Sequence, residues 1–338
     1  MSPTPKNRRA FLASLTAATA AVALTIFRPL AYAAEYPARP VKIIVPFPPA
    51  STPDVVSRWL SPRLYERLGQ PFVIENKPGA GSVIGVDAVV RSLPDGYTLL
   101  MGAAAPMAIN VTLHKTLPYD PTTDLIPLAF VARGPFVLVV TPSLPVHSVS
   151  ELVSLAKAKP GQLSFGSTGP GTPGHLYGEL FDNVTGVQMT HVPYAGSGAL
   201  TDVVAGQIPL MFADFAPAFA MIQAGKVRPL AVTSKLRLSA LPDVPSMQEA
   251  GVPEFDAASW VMLAAPAKTP RSIVETLHRE IKSIITTPEF KEQIETIGMV
   301  PMGDTADNAS VEALQAFVKS EIVDWGKLVR LAGIAGSQ

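Results

Sequence analysis

The sequence predicts an α/β protein of two lobes, each a mostly parallel sheet flanked by helices. Short runs rich in β-branched residues alternate with helical patterns along most of the chain, which is typical of βαβ units. A length of 338 residues favours about two domains. The 34 prolines and 24 glycines are scattered singly and in short pairs, as expected where many short elements are separated by loops.

Residues 1–33 are interpreted as an export signal that is removed. Basic residues precede an apolar stretch over residues 11–27, and residues 31–33 (AYA) form a small-x-small cleavage pattern. The pair Arg8 and Arg9, followed by Ala-Phe-Leu, matches the twin-arginine address, with an ordinary secretory signal as the alternative. Its removal takes away four positive charges and leaves an acidic chain. We therefore expect a periplasmic protein.

The pattern then predicts nine strands separated by helices. The strands fall at residues 41–47, 72–75, 98–102, 136–141, 163–167, 188–192, 209–213, 228–233 and 260–264. Helices begin near residues 53, 82, 150, 175, 198 and 216, and two long ones cover residues 271–287 and 310–331.

Several helix starts carry a capping signature. Ser148 with Glu151, and Ser246 with Glu249, have the spacing of capping boxes. Thr269 precedes a proline and is predicted to be an N-cap.

No linker separates the halves, so the chain is expected to cross between lobes more than once. Residues 130–140 and 256–264 are the predicted crossovers. Lobe 1 then comprises residues 34–135 and 256–338, lobe 2 comprises residues 136–255, and the ligand cleft lies between them.

Composition excludes several classes of function. Lys and Arg total 27 and Asp and Glu total 27, so no basic excess indicates nucleic-acid binding. There is no cysteine, and none of the five histidines pairs as His-x-x-x-His, so neither a metal nor a cofactor is expected. No Gly-x-Ser-x-Gly elbow is present, and a hydrolase using Ser167 or Ser197 with His175 is the enzymatic alternative.

Residues 169–174 (GPGTPG) match the spacing of a dinucleotide loop after a strand. Pro170 and Pro173 remove backbone donors that such a loop would use, and no acidic residue ends the next strand. The dinucleotide interpretation is therefore disfavoured.

Small polar loops follow four of the predicted strands, at residues 46–54, 102–107, 167–172 and 193–198. Loops at the carboxyl ends of parallel strands converge on one crevice. None of these loops contains Lys or Arg, so hydroxyls, backbone N–H groups and helix ends would hold an anion. Such donors suffice for a carboxylate, whereas a polyphosphate requires cations.

Ordinary structural roles compete with ligand contact at individual positions. Tyr194 is also suited to packing, His175 to a buried or solvent-facing position, and Asp214 and Asp54 to capping the helices that follow them.

Taken in order, several segments resemble the Bug family, the extracytoplasmic substrate-binding receptors of tripartite tricarboxylate transporters. The resemblance runs from residues 36–40 (YPARP) to 325–327 (WGK). It is carried by residues 44–49 (IVPFPP), 75–81 (ENKPGAG), 94–100 (PDGYTLL), 117–121 (LPYDP), 191–194 (HVPY), 230–234 (LAVTS) and 241–245 (LPDVP).

The resemblance implies a two-lobed periplasmic-binding-protein-like fold and a ligand carboxylate held near residues 167–175. The expected ligand-binding residues are Phe47, Pro48, Ala50, Ser51, Ala104, Ser167, Thr168, Gly171, Thr172, His175, Tyr194, Gly196, Ser197 and Asp214. The chain has Ala50-Ser51 where the family has two glycines, and alanines at 103–105 where many members have Ser or Thr. This less polar wall favours a ligand with an apolar or aromatic body.

We therefore expect a monomeric receptor, not an enzyme, that closes on a small organic carboxylate and delivers it to the membrane subunits of a tripartite tricarboxylate-type transporter. The alternatives are the exported hydrolase and a ligand sensor that signals through a membrane kinase.

Overall fold

The computed structural model describes residues 36–338, except 195–197, 254 and 256–257. The predicted export signal lies outside the described residues. Residues 39–338 form one compact unit that holds every element described below. None of the described helices is both long enough and apolar enough to cross a membrane.

The described chain contains ten strands and ten α-helices. The strands are β1 Val41–Val45, β2 Phe72–Asn76, β3 Thr98–Ala103, β4 Leu125–Val140, β5 Ser164–Ser167, β6 Thr190–Pro193, β7 Leu210–Asp214, β8 Arg228–Val232, β9 Ala258–Pro266 and β10 Val300–Pro301. The helices are α1 Thr52–Leu68, α2 Val83–Val90, α3 Asn110–Leu113, α4 Val149–Ala158, α5 Pro173–Thr185, α6 Gly198–Val204, α7 Phe215–Gln223, α8 Arg271–Ile285, α9 Pro288–Thr296 and α10 Val311–Leu331.

All nine predicted strands are present, and the sheet is mixed. Its order is β2-β1-β3-β9-β4-β7-β5-β6, with β10 and β8 also paired to β4. The outer strands β1, β2 and β3, and likewise β5, β6 and β7, pair in parallel as predicted. The long central strands β4 and β9 run antiparallel to their neighbours, where mostly parallel sheets were expected. β4 and β9 pair with strands that are distant in the sequence, so no single βαβ unit sets their direction.

Strand β4 joins the two halves of the sheet. Its residues Leu125 to Pro135 pair with β9, and its residues Phe136 to Val140 pair with β7. The prediction that residues 130–140 leave one half for the other agrees with this pairing. Strand β9 lies wholly in the half that contains β1 to β3, and part of its predicted crossover, residues 256–257, lies outside the described residues.

The strand β4 begins at Leu125, eleven residues before the predicted start at residue 136. Its first half has the sequence LIPLAFVARG, in which a proline and a glycine interrupt the apolar run. Such interruptions are typical of loops, but β4 accommodates them with register shifts at Pro127/Ala129 and Phe130/Ala132.

Aromatic side chains join helix α10 to β4 and β9. The rings of Phe130 and Phe317 lie 4.5 Å apart, and Trp260 meets Phe317 edge-on at 5.5 Å. Two indole N–H groups, from Trp260 and Trp325, donate to Oε2 of Glu321 at 2.5 and 2.9 Å. Burial raises the pKa of Glu321. The predicted apolar stripe of α10 is therefore core, as expected.

The capping predictions have three different outcomes. Ser148 accepts from the Glu151 N–H at 3.1 Å and caps α4. Ser246 and Glu249 form both hydrogen bonds of a capping box, yet they close a turn and no helix follows. The Thr269 prediction is wrong: the N-cap of α8 is Pro270, and the buried Thr269 hydroxyl has no partner.

Candidate functional site

The loop between β5 and α5 folds around the Ser167 side chain. Ser167 is fully buried, and its Oγ accepts from the Gly169 N–H at 3.1 Å and lies 2.6 Å from Nε2 of His191. Gly169 and Gly171 have φ angles of 133° and 74°, in the region that favours glycine. Ser167 therefore uses its hydrogen-bonding capacity inside the protein and shapes the loop.

The exposed residues of this loop are Thr168 and Pro170, and Thr172 and Pro173 at the start of α5 are half-buried. Thr168 is exposed, whereas the Thr172 hydroxyl donates to the Gly169 carbonyl at 2.7 Å. Thr172 is the N-cap of α5 but makes no side-chain cap. Pro173 has no N–H, so Gly174 supplies the first backbone donor of this helix, which points out of its amino end. This geometry suits an anion.

Two stacked histidines support the loop from within. The rings of His175 and His191 lie 3.7 Å apart at 17°, and Phe165 stacks on His191 at 5.1 Å. The Gly171 N–H donates to Nδ1 of His175 at 3.1 Å, so the other nitrogen, Nε2, carries the proton and faces Glu179 at 3.5 Å. Burial, followed by the neighbouring His175, lowers the pKa of His191 to about 4. His191 is therefore neutral at neutral pH.

Tyr194 adjoins this loop from the next strand. Its N–H donates to the Ser167 carbonyl at 3.0 Å. Its hydroxyl donates to Asp202 at 2.6 Å, and this hydrogen bond raises the pKa of Tyr194. The expected neighbours Gly196 and Ser197 lie outside the described residues. In the described chain, Tyr194 is thus joined to the loop at residues 167–175 through its backbone.

Helix α3 touches the same loop. A methyl group placed on Gly171 would lie 2.3 Å from the Leu113 side chain, so loop and helix are in close contact. Leu113 follows the 102–107 segment along the chain. The loop at residues 167–172 therefore packs on the helix that follows the 102–107 segment.

The segment at residues 102–107 presents a different face from the one expected. Ala104 has no exposed surface, which argues against ligand contact by this residue in the present conformation. Ala105 is half-buried and is the accessible member of the alanine run. Gly102 is required here because a Cβ would lie 2.2 Å from the Met107 sulfur.

The loop after β1 is organised by a buried carboxylate, Asp54. It accepts from the Ala50 N–H at 2.9 Å, from Arg58 through two hydrogen bonds of 2.9 Å, and from the Asn76 amide at 2.9 Å. The same amide of Asn76 also donates to the Phe47 carbonyl at 3.1 Å. Burial would raise the pKa of Asp54, but these hydrogen bonds outweigh it and lower the pKa.

This network leaves the loop itself open to solvent. Pro48 and Ala50 are exposed and Phe47 is half-buried. Ala50 has φ +63°, a left-handed conformation that favours glycine. The N-cap of α1 is Ser51 and not Asp54, as the capping alternative had predicted. The Ser51 hydroxyl donates to the Pro48 carbonyl at 2.7 Å. No described hydrogen bond joins this loop to residues 167–175.

Asp214 lies where β7 ends, opposite Phe136 of β4. It occupies the N-cap position of α7, as the capping alternative expected, but its side chain caps nothing. Solvent reaches the side chain, yet desolvation by surrounding protein raises its pKa to about 6.

The pairing required by the hydrolase alternative is not the one observed. Ser167 meets His191, not His175, and its hydroxyl is buried. Ser197 lies outside the described residues. Across the described chain, no group of three or more His, Asp or Glu side chains is placed to hold a metal ion.

Sequence reasoning missed Arg58, Asn76, Leu113 and His191. The Asp54/Arg58 pair has the i,i+4 spacing of a helical ion pair and was available as a signal. Contacts between segments that are distant in the sequence involve Asn76, Leu113 and His191. A local sequence pattern does not predict such contacts.

Comparison with known proteins agrees with this architecture. The family model described as "Tripartite tricarboxylate transporter family receptor" matches residues 56–334. Protein BugT of Bordetella pertussis is 38% identical over 300 residues, which cover 88% of this chain and 90% of BugT.

Solved structures extend the comparison to the fold. The structure titled "R. palustris Rpa4515 with adipate" has a TM-score of 0.81 and 38% identity, covering 89% of this chain and 99% of that one. MatC from Rhodopseudomonas palustris with bound malate has a TM-score of 0.77 and 29% identity, covering 87% and 100%. The two-lobed α/β fold and the expectation of a receptor, not an enzyme, are thereby confirmed. The chain belongs to the tripartite tricarboxylate transporter receptor family, the Bug proteins.

Proposed function

We propose that this protein is a periplasmic receptor that binds one small organic carboxylate and delivers it to the membrane subunits of a tripartite tricarboxylate-type transporter. Family membership supports the receptor role, and the adipate and malate in two related structures support the ligand class. The relative BugD is titled a periplasmic binding protein, which supports the location, together with the export pattern of residues 1–33.

The observation that carries the ligand class is the uncharged loop at residues 167–175. Its accessible part offers the Thr168 side chain and the half-buried start of α5, and the loop contains no Lys or Arg. A helix amino end favours an anion by about 0.3–1 kcal/mol, and by up to about 2 kcal/mol when partly buried. Hydrogen bonds to a charged acceptor add about 1.5–3 kcal/mol each. These magnitudes hold one carboxylate without a cation.

The far end of the ligand is proposed to be apolar. The accessible part of the 102–107 segment is Ala105, and Asp214 is the acidic group at the end of β7. A second carboxylate beside an ionised Asp214 would be repelled above pH 6. An aliphatic or aromatic body avoids that repulsion.

The lobes are proposed to be residues 34–135 with 256–338, and residues 136–255, with β4 as the shared strand. Hinge closure around the ligand would then bend the chain near Phe136, where the partner of β4 changes from β9 to β7. We expect a monomer, because nothing in this mechanism requires a second copy.

A carboxylate panel tests the proposal. Mature protein is titrated with mono- and dicarboxylates of increasing chain length, and binding is followed by calorimetry and thermal shift. We expect at least one carboxylate to bind and its amide analogue to fail. Indifference to every carboxylate contradicts the proposal.

Two glycine variants place the site. Gly171→Ala pushes the loop from Leu113, whereas Gly186→Ala, at φ +66°, introduces comparable backbone strain with nothing within 4 Å. Carboxylate affinity should fall in the first variant and stay near wild type in the second. Equal effects of the two variants would remove the loop from the binding site.

A further inference from the structure

The loops after β1 and β5 have the same hydrogen-bonded form. Ser51 and Thr172 occupy the N-cap positions of α1 and α5. The Ser51 hydroxyl donates to the Pro48 carbonyl, and the Thr172 hydroxyl donates to the Gly169 carbonyl, both at 2.7 Å. The backbone N–H groups of Ser51 and Thr172 donate to the same two carbonyls at 3.3 Å. The two loops can therefore be compared position by position.

The residue before each N-cap donates its N–H to a side chain in the first turn of the helix. Ala50 and Gly171 have left-handed φ angles of 63° and 74°. The Ala50 N–H donates to Asp54 at 2.9 Å, and the Gly171 N–H donates to Nδ1 of His175 at 3.1 Å. Burial opposes ionisation of Asp54, but the hydrogen bonds that it accepts outweigh burial and lower its pKa. The two loops thus differ in the chemistry of one acceptor.

Protonation affects these two acceptors differently. An ionised carboxylate accepts hydrogen bonds, and the lowered pKa of Asp54 keeps it ionised in mildly acidic solution. An imidazolium carries N–H groups on both nitrogens, so a protonated His175 would present Nδ1–H to the Gly171 N–H, donor against donor. Histidine is the side chain whose charge ordinarily changes between about pH 5 and 8. The loop after β5 is therefore the pH-sensitive one.

The groups around the His175 ring direct a proton to it. Oε1 of Glu179, one turn further along α5, lies 3.5 Å from Nε2 and favours the charged ring. On β6, His191 stacks against His175 at 3.7 Å, so two charged rings would repel each other. Burial, followed by His175, lowers the pKa of His191 to about 4. Phe165 of β5 adds an apolar face, and Asp182 lies beyond Glu179, whose charge it feels. The first proton of the stacked pair thus belongs on His175.

Gly171 lies between the two parts of the loop that are proposed to hold the carboxylate, Thr168 and the start of α5. A change in the Gly171 backbone moves these parts relative to each other. The positive charge of a protonated His175 does little to attract the ligand, because Glu179 lies beside it. The loss of the Gly171 hydrogen bond therefore decides the sign of the effect.

From the matched hydrogen bonds of the two loops, we propose that His175 is a positioning residue that makes carboxylate binding depend on pH. Its neutral ring holds the Gly171 N–H and the binding form of the loop. Its protonation breaks this hydrogen bond and releases the ligand. The inference rests on the proposed function of residues 167–175 and adds its regulation, a fall in affinity as the solution becomes acidic.

Amide NMR of the ligand-free protein tests the hydrogen bond itself. Between about pH 8 and about pH 5.5, the Gly171 amide proton should move upfield as His175 becomes charged. The Ala50 amide proton, which donates to Asp54, is the internal control and should stay in place. Side-chain ¹H–¹⁵N spectra of His175 follow its protonation in the same samples. No variant is needed for this readout.

Adipate is the probe for the effect on binding. Its affinity should fall about fivefold over the same pH range, as expected for losing one neutral hydrogen bond. His175→Asn places an amide oxygen where Asp54 has a carboxylate oxygen, and it should remove this pH dependence. His175→Leu has no acceptor and should bind about fivefold more weakly than wild type at about pH 8.

Two further variants test which charges control the effect. Glu179→Gln should move the fall in adipate affinity to lower pH, because the charged ring then lacks its carboxylate neighbour. The matched variant His147→Asn, at an exposed histidine, should leave the pH dependence as in wild type.

Two results would overturn the proposal. The first is protonation of His175 that leaves the Gly171 amide signal unmoved, and the second is a His175 ring that stays neutral down to about pH 5. Failure of the proposed function has a different signature. In that case no carboxylate binds at any pH while the Gly171 signal still moves, which overturns ligand release and leaves the hydrogen-bond change standing.

Discussion

Replacing Asp54 with alanine tests whether a buried carboxylate organises the loop after β1. Asp54 is 2% exposed and accepts from Ala50, Arg58 and Asn76. Its removal leaves the Ala50 N–H without its acceptor and takes from the Asn76 amide one of its two acceptors, the Phe47 carbonyl remaining, at about 1–2 kcal/mol for each lost hydrogen bond of a part-buried donor. Arg58 is largely exposed and becomes hydrated, so its loss adds little. We expect Asp54→Ala to lower the free energy of unfolding by about 2–4 kcal/mol.

Asp87→Ala is the matched control for this variant. Asp87 and Arg91 have the same i,i+4 spacing at the end of α2, but their side chains are 27% and 71% exposed and no other described side chain donates to Asp87. The control should lose less than about 0.5 kcal/mol. Urea unfolding of both variants measures the difference. If the two substitutions have equal effects on the free energy of unfolding, the burial and network at Asp54 carry no weight and the reasoning is refuted.

Three further predictions concern conformation and pH. Ala50→Gly should raise the free energy of unfolding by about 0.5–1 kcal/mol by relieving a left-handed alanine, whereas Ala156→Gly inside α4 should lower it by about 1 kcal/mol in the same urea assay. The pKa of His191 is about 4 in the folded chain, against an ordinary 6.5, so the unfolded chain takes up a proton at a higher pH than the folded chain does. The free energy of unfolding should therefore fall as pH drops from about 6.5 to 4, by up to about 3 kcal/mol. His191→Gln should reduce this dependence, and an unchanged pH profile would contradict the pKa. The raised pKa of Asp214, about 6 against an ordinary 3.8, has the opposite effect, because stability is lost as pH rises from about 3.8 to 6. Asp214→Asn should therefore be more stable than wild type above pH 6 and equally stable below pH 4. Thermal unfolding of both proteins across this pH range measures the difference.

Local patterns predicted most of the fold because the strands of this chain are short, apolar and bounded by turn residues. They failed where a strand is sustained by its partners. The first half of β4 carries Pro127 and Gly134, which mark a loop in isolation, but pairing with β9 and β10 holds both in the sheet. Strand β10 has two residues, too few for any periodicity.

The backbone arrangement of the candidate site followed from the sequence, whereas the burial of its side chains did not. The spacing of strand, small polar loop and helix placed residues 167–175 beside Tyr194, as the Tyr194 to Ser167 hydrogen bond shows. The same pattern assigned Ser167 and Ala104 to the ligand, whereas both are fully buried. Burial depends on what packs over a loop, and the contacts that cover Ser167 come from His191 and Gly169. Such packing is decided between segments and leaves no mark in the local sequence.

The most direct test of the carboxylate site is an amide NMR titration of the mature protein with adipate and with straight-chain monocarboxylates. Hydrogen bonding to a carboxylate moves an amide proton downfield, so the backbone N–H signals of Thr168, Gly174 and His175 should show the largest shifts for the ligand that binds. Largest shifts elsewhere in the chain, with the signals of residues 168–175 unmoved, would contradict the account.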